Sequence, residues 1–161
     1  MRADVCRELL IHLDKGELQC GHAPKPVQKW LEKIKLPTDF LRFMQWYWPQ
    51  QDGQLAHLTI LSSSSIKSDD SAELLASAGF LLIGAAPNGD SLVVDFGKRA
   101  CVPGFITHEE WDQESKPREF FEPIARSFES LLYRLAEGRY VPTDYYAAKP
   151  FNVFLREEEK A

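Results

Sequence analysis

The chain has 161 residues, 44% of them hydrophobic and 27% charged, with a formal net charge of −5. That length supports one domain with its own core and no need of disulfide staples, and the composition excludes a disordered, collagen-like or coiled-coil chain. The excess of acid has the wrong sign for a general nucleic-acid binder, which needs Lys and Arg to displace counterions from phosphates.

Val5, Cys6, Leu9, Leu10 and Leu13 recur at helical spacing ahead of Gly16 and Gly21, which predicts a short amphipathic helix running into a polar loop. After Pro24 and Pro26, the residues Val27, Trp30, Leu31 and Ile34 form one apolar stripe at i, i+3, i+4 and i+7, the clearest early helix. Leu36-Pro37 ends it, because a residue before proline is pushed out of the α region. Thr38 then stands as the cap of a helix carrying Phe40, Leu41, Phe43, Met44 and Tyr47. Leu55 to Ile60 reads as the first strand and the serine run Ser62 to Ser65 as a loop. Asp70 and Glu73 have capping-box spacing for a short helix ending near Gly79.

Phe80 to Ile83 and Leu92 to Phe96 are strand-like and flank Pro87-Asn88-Gly89-Asp90, whose Asn-Gly step is a strong signal for an antiparallel hairpin. Val102 to Ile106 adds a strand that Pro103 and Gly104 would confine to an edge or bulge, where the sheet is expected to end. A long helix is expected from about Glu122 to Glu137, with Ile124, Phe128, Leu131, Leu132 and Leu135 on one face and Gly138 as its stop. Glu157-Glu158-Glu159 read as a solvated acidic tail. Helices first, strands in the middle and a helix last describe a single α+β domain over residues 1–161, with a central antiparallel sheet flanked by N-terminal helices and a long C-terminal helix.

Cys6, Cys20 and Cys101 are odd in number and widely spaced, as expected of reduced thiols in a cytoplasmic protein. Asp4, Glu8, His12 and Asp14 interrupt the apolar stretches at the N-terminus, and the longest near-apolar run, Ala78 to Ala86, is about half of the 18 residues a bilayer span needs. Neither secretion nor a membrane partner is expected.

Motifs with chemical overtones have bland alternatives. Asp95-Phe96-Gly97 matches the magnesium-binding tripeptide of protein kinases, but the glycine-rich loop, strand lysine and catalytic Asp of phosphoryl transfer do not accompany it. It reads as a strand ending at a glycine. His108, Glu109, Glu110 and Asp112 could serve as a general base or metal ligands, whereas Thr107 and Glu110 have the spacing of a capping box. Cys20-Gly21-His22, with Cys6 and His12, offers soft ligands at no compact zinc spacing. With neither a Gly-x-Ser-x-Gly elbow nor a Gly-x-x-x-x-Gly-Lys loop, the sequence reads as non-enzymatic, with no cofactor and no metal.

Trp46-Tyr47-Trp48 carries more weight, because three adjacent aromatics on a helix cannot all point inward and exposed Trp and Tyr are favoured binding anchors. Residues 1–48 carry a net +2, residues 49–101 a net −3 and residues 102–161 a net −4, so acidity gathers where it could steer a basic partner. Candidate contact residues are therefore Trp46, Trp48, Asp52, Asp69, Asp70, Glu109 and Asp112.

Three segments taken in order carry a family resemblance. Leu36-Pro37-Thr38-Asp39-Phe40-Leu41-Arg42-Phe43-Met44, Asn88-Gly89-Asp90-Ser91-Leu92-Val93-Val94-Asp95 and Ile124-Ala125-Arg126-Ser127-Phe128-Glu129-Ser130-Leu131-Leu132 resemble the SUKH superfamily, the Smi/Knr type of cell-wall-regulator-like proteins, over about residues 26–140. The N-terminal helix and the tail beyond Pro142 lie outside the pattern, and the family's glycines after the Leu-Pro helix are reduced here to Gly53. The resemblance implies an α+β fold and a non-catalytic role: an immunity protein that binds and neutralises a cognate toxin, often a nuclease, or a scaffold of the cell-wall-regulator type. A metal-dependent hydrolase built around His108 stands as a third reading.

Overall fold

The computed structural model describes residues 1–98, 101–109 and 116–158. The periodic apolar stripes at the N-terminus fold as helices α1 (Ala3–Leu13), α2 (Lys25–Lys33) and α3 (Thr38–Trp46). Pro24 and Pro37 occupy the N-cap positions of α2 and α3, so Thr38 is the first helical residue of α3 and not its cap. Between these helices lies a two-residue ladder that the sequence did not signal, pairing β1 (Cys20–Gly21) with β2 (Trp48–Pro49).

The main sheet is an antiparallel meander in which every strand pairs with the next: β3 (Gly53–Leu55), β4 (Leu58–Ile60), β5 (Phe80–Ala85), β6 (Ser91–Asp95), β7 (Val102–Ile106) and β8 (Phe121–Pro123). Leu55 to Ile60, expected as one strand, is instead a hairpin that turns at Ala56 and His57. Ala56 pays for the turn with φ +57°, a conformation that costs an L-residue about 1–2 kcal/mol. The return is the cross-strand pair Leu55 and Leu58, both fully buried, and a bond between His57 Nε2 and the Pro142 carbonyl at 3.1 Å.

The serine run is not a loop: Ser62 accepts from the Ser65 N–H and caps α4 (Ser63–Ser68). Helix α5 (Ala72–Ser77) follows, but Asp70 does not cap it; Ser71 holds the N-cap position without a side-chain bond, and Glu73 accepts from Trp30 Nε1 at 2.8 Å. The β5–β6 hairpin forms as expected, with Gly89 at φ +95° in its turn. A register shift between Leu82 and Gly84 brings β4 so close that a Cβ on Gly84 would lie 2.0 Å from the Thr59 carbonyl oxygen, which only glycine permits.

Strand β7 is interior, because β8 pairs along its outer side. Pro103 is tolerated there for a directional reason. Its carbonyl accepts from the Ile124 N–H on the β8 side, so its missing N–H also falls on that side, where β8 ends, and the ladder to β6 is undisturbed.

Helix α6 is Phe128–Ala136, shorter than the expected Glu122–Glu137: Glu122 belongs to β8, and Ser127 starts the helix through a reciprocal capping box with Ser130. Gly138, at φ +67°, stops it as expected. Ser127→Ala is expected to remove about 1 kcal/mol of stability, read as a shifted denaturation midpoint at unchanged slope. The chain then forms α7 (Tyr145–Glu158), a helix the sequence reading missed because Pro150 stands inside it. Glu157 and Glu158 belong to its last turn, so these two acids are helical and not a separate tail.

Alternation along the strands buries both faces of the sheet. Leu81, Ile83, Leu92, Val94 and Phe105 meet the main core with α1, α2, α3 and α6, whereas Phe80, Leu82, Val93 and Ile106 meet Leu75, Phe120 and Phe121. The result is an α+β fold with helices flanking an antiparallel sheet and a C-terminal helix.

Candidate functional site

The three adjacent aromatics have separate fates because α3 ends at Trp46 and Trp48 belongs to a strand. Trp46 is 47% exposed and stacks on His22 with ring centroids 6.2 Å apart, Tyr47 is half-buried, and Trp48 is 1% exposed. Trp48 is thus a correction to the expected contact set: its ring packs against Phe43 and Phe128 and its Nε1 donates to the Leu61 carbonyl at 2.8 Å, leaving nothing to offer a partner.

Asp52, Asp69 and Asp70 are all exposed and belong to connected elements. Asp52 follows β2 and accepts from the Ser62 N–H at 2.8 Å, fixing the start of α4, and α4 runs directly into Asp69 and Asp70. Asp69 accepts from both the N–H and the hydroxyl of Ser71. From Trp46 to Glu73 the sequence holds four acids and one lysine, a net-acidic stretch that begins at the exposed indole, while α2, which packs against both α3 and α4, carries Lys25, Lys29 and Lys33.

Glu109 does not join that group. It follows β7, whereas Asp52 precedes β3, four strands away, and Asp69 and Asp70 lie between α4 and α5, which pack on β5. It is exposed, and the Tyr146 hydroxyl donates to its carboxylate at 3.3 Å. Asp112, together with Glu110 and the expected capping box, lies outside the described residues.

The strongest polar constellation was not foreseen. Asp90, read as a turn residue, is fully buried and accepts from the His108 N–H at 3.0 Å, His108 Nδ1 at 2.6 Å, Asn88 Nδ2 at 2.9 Å and the Tyr145 N–H at 2.9 Å. Burial pushes the carboxyl up, but the bonds from Tyr145, Asn88 and His108 outweigh it and hold the acid below its ordinary value. A carboxylate orienting an imidazole is half of a general-base arrangement, and His108 Nε2 stands 4.0 Å from Glu109. Every donor to Asp90 nonetheless has a structural use: they fasten the β5–β6 turn, the end of β7 and the start of α7 to one point.

Asp95, of the Asp-Phe-Gly tripeptide, ends β6 as expected, with its carboxylate committed to Arg118 through two bonds of 2.8 and 2.9 Å. Burial pushes this carboxyl up as well, and the Arg118 bonds bring it below the ordinary range. The three thiols are free and driven upward by burial, Cys6 to about 12 and Cys20 and Cys101 to about 11, so each is protonated and a poor ligand near neutral pH. Among the described residues, no group of three or more His, Cys, Asp or Glu side chains is placed to hold a metal, and no helix is long and apolar enough to cross a membrane.

No protein-family model matches the sequence, and neither a curated protein nor a solved structure matches it at a significant level.

Proposed function

We propose that the chain is a non-catalytic protein-binding module of the SUKH type, and specifically an immunity protein that neutralises a basic cognate toxin, possessing no cofactor and acting in the cytoplasm. The observation that carries this reading is the exposed Trp46 on the acid-rich stretch that presents Asp52, Asp69 and Asp70 to solvent. Buried indoles supply much of the energy of protein interfaces, while surrounding charge sets association rate and partner choice. Exposed acids together with an exposed aromatic anchor fit a cationic cleft of the kind that binds nucleic-acid phosphates, and occupying such a cleft neutralises its owner without any bond being made or broken. The ordered segments behind the family resemblance support the same reading, since they supply α3, the β5–β6 hairpin and the capped start of α6.

The test is a binding measurement against the product of the adjacent gene, the natural place for a cognate toxin. Asp52→Lys, Asp69→Lys and Asp70→Lys combined should slow association about tenfold or more at low salt and flatten its salt dependence, with dissociation much less affected. Trp46→Ala should instead speed dissociation. Association rates unchanged by the triple reversal would remove the acidic-steering reading, and capture of wall-synthesis proteins in place of a toxin would favour the scaffold role.

A further inference from the structure

Helix α7 is amphipathic in an unusual sense, because both of its faces carry large apolar groups. Tyr145, Ala148, Phe151 and Leu155 are buried against the domain, while the opposite side presents Tyr146, 43% exposed, Val153, 57%, and Phe154, 47%. Pro150, also exposed, lies between them on the outer face, and Tyr140, 59% exposed, extends the patch through an edge contact with Phe151, whose ring in turn meets Phe154 in a tilted contact. At these exposures the four residues offer roughly 400 Å² of largely apolar surface, within the size range of the largest patches on monomers, which are often functional.

We propose that this outer face of α7 is a homodimer interface, in which α7 packs antiparallel on α7 of a second copy about a two-fold axis at Val153. This goes beyond the toxin-binding reading and uses a different surface. Two observations select a second copy as the occupant. The first is charge. Lys149 and Glu157 flank Val153 by four residues each, about 6 Å along the helix, and both are exposed. A two-fold axis at Val153 sets Lys149 of each copy against Glu157 of the other, so the patch is complementary to itself, as an isologous interface must be. In a parallel arrangement like charges would meet. The second is area: a standard interface buries about 800 Å² per partner, somewhat more than half of it apolar, and the patch supplies that apolar core.

Sedimentation equilibrium of the full chain tests the proposal, with a dimer expected at twice the 18.4 kDa chain mass. Val153→Asp, an exposed substitution, should give a folded monomer. Lys149→Glu alone should raise the dissociation constant about tenfold or more, and Lys149→Glu with Glu157→Lys should restore it, because the pair is exchanged and not lost. A wild-type monomer at about 100 μM, far above the range of a specific dimer, overturns the proposal. So does a dimer indifferent to Val153→Asp, and failure of the charge exchange to restore association overturns the antiparallel register.

Discussion

Asp90→Ala is expected to cost about 3–5 kcal/mol of folding stability, the loss that follows when a buried, hydrogen-bonded charge is removed from its partners. The acid is fully buried, and four donors converge on it: two from His108, one from Asn88 and one from the N–H of Tyr145. These belong to the β5–β6 turn, the exit from β7 and the entry into α7, so deletion would leave several part-buried N–H groups without an acceptor at once. Asp90→Asn keeps the shape but turns an amide NH₂ toward those donors, and should recover only a minor part of the loss. The measurement is urea denaturation, accompanied by amide exchange. Exchange should accelerate first in α7, whose opening N–H bond is to Asp90, before the central strands are affected. A loss below about 1 kcal/mol would show that the carboxylate decorates the turn and does not fasten it.

The same group fixes how stability varies with acid. Its folded pKa lies below the ordinary 3.8, so the folded state holds the carboxylate ionised more tightly than the unfolded chain does. That contribution is fully present above the unfolded value and is lost as pH falls from about 4 through the folded value. Asp95 is depressed in the same direction and titrates in the same window. Wild type should therefore lose stability steeply below pH 4, and Asp90→Asn should show a shallower decline, as urea midpoints taken across that range would reveal.

How much of this was legible in the sequence depended on the range of the interaction involved. Periodicity located α1, α2 and α3, and Asn88-Gly89 located the central hairpin, because those signals are local and need no knowledge of what packs where. Errors arose where tertiary contacts overrode local preference. Ala56 adopts a left-handed turn that no sequence rule assigns to alanine, since burying Leu55 against Leu58 compensates for it. Pro103 sits inside the sheet because its missing N–H faces the end of β8, a fact of register and not of composition. Helix α7 tolerates Pro150 because Tyr145, Ala148, Phe151 and Leu155 bury one face of it, support that its own sequence does not announce.

The candidate site divided in the same way. Exposure of one indole in Trp46-Tyr47-Trp48 follows from crowding, but which one is exposed depended on where α3 stops. The helix ends at Trp46, and pairing of Trp48–Pro49 with Cys20–Gly21 draws the second indole inward. Asp90 and Asp95 were read as a turn acid and a strand-end acid, correct locally and silent about their partners. His108 lies 18 residues from Asp90 and Arg118 lies 23 from Asp95, separations over which spacing carries no signal.

Arg118→Met is expected to destabilise the fold by about 3–5 kcal/mol, although it preserves most of the side-chain volume. Arg118 grips the nearly fully buried Asp95 with both terminal nitrogens and lies over the Phe80 ring at 4.5 Å. Its guanidinium also fills the space above Gly79 and Gly97, where an added Cβ would meet Nη2 at 2.6 Å. Methionine would keep the packing on Phe80 but leave Asp95 ionised and buried, supported among the described residues by the N–H groups of Gly97 and Lys98 alone. The cost is therefore that of an uncompensated charge and not of a cavity. The double variant Asp95→Leu with Arg118→Met separates the two causes, because removing both members of a buried pair is far less damaging than removing one. It should regain at least half of the stability lost in Arg118→Met, and its acid transition should be shallower, since one depressed carboxylate has gone. A double variant no more stable than Arg118→Met would mean that packing around Phe80, Gly79 and Gly97 holds this side of the sheet and that the ion pair merely fits into it.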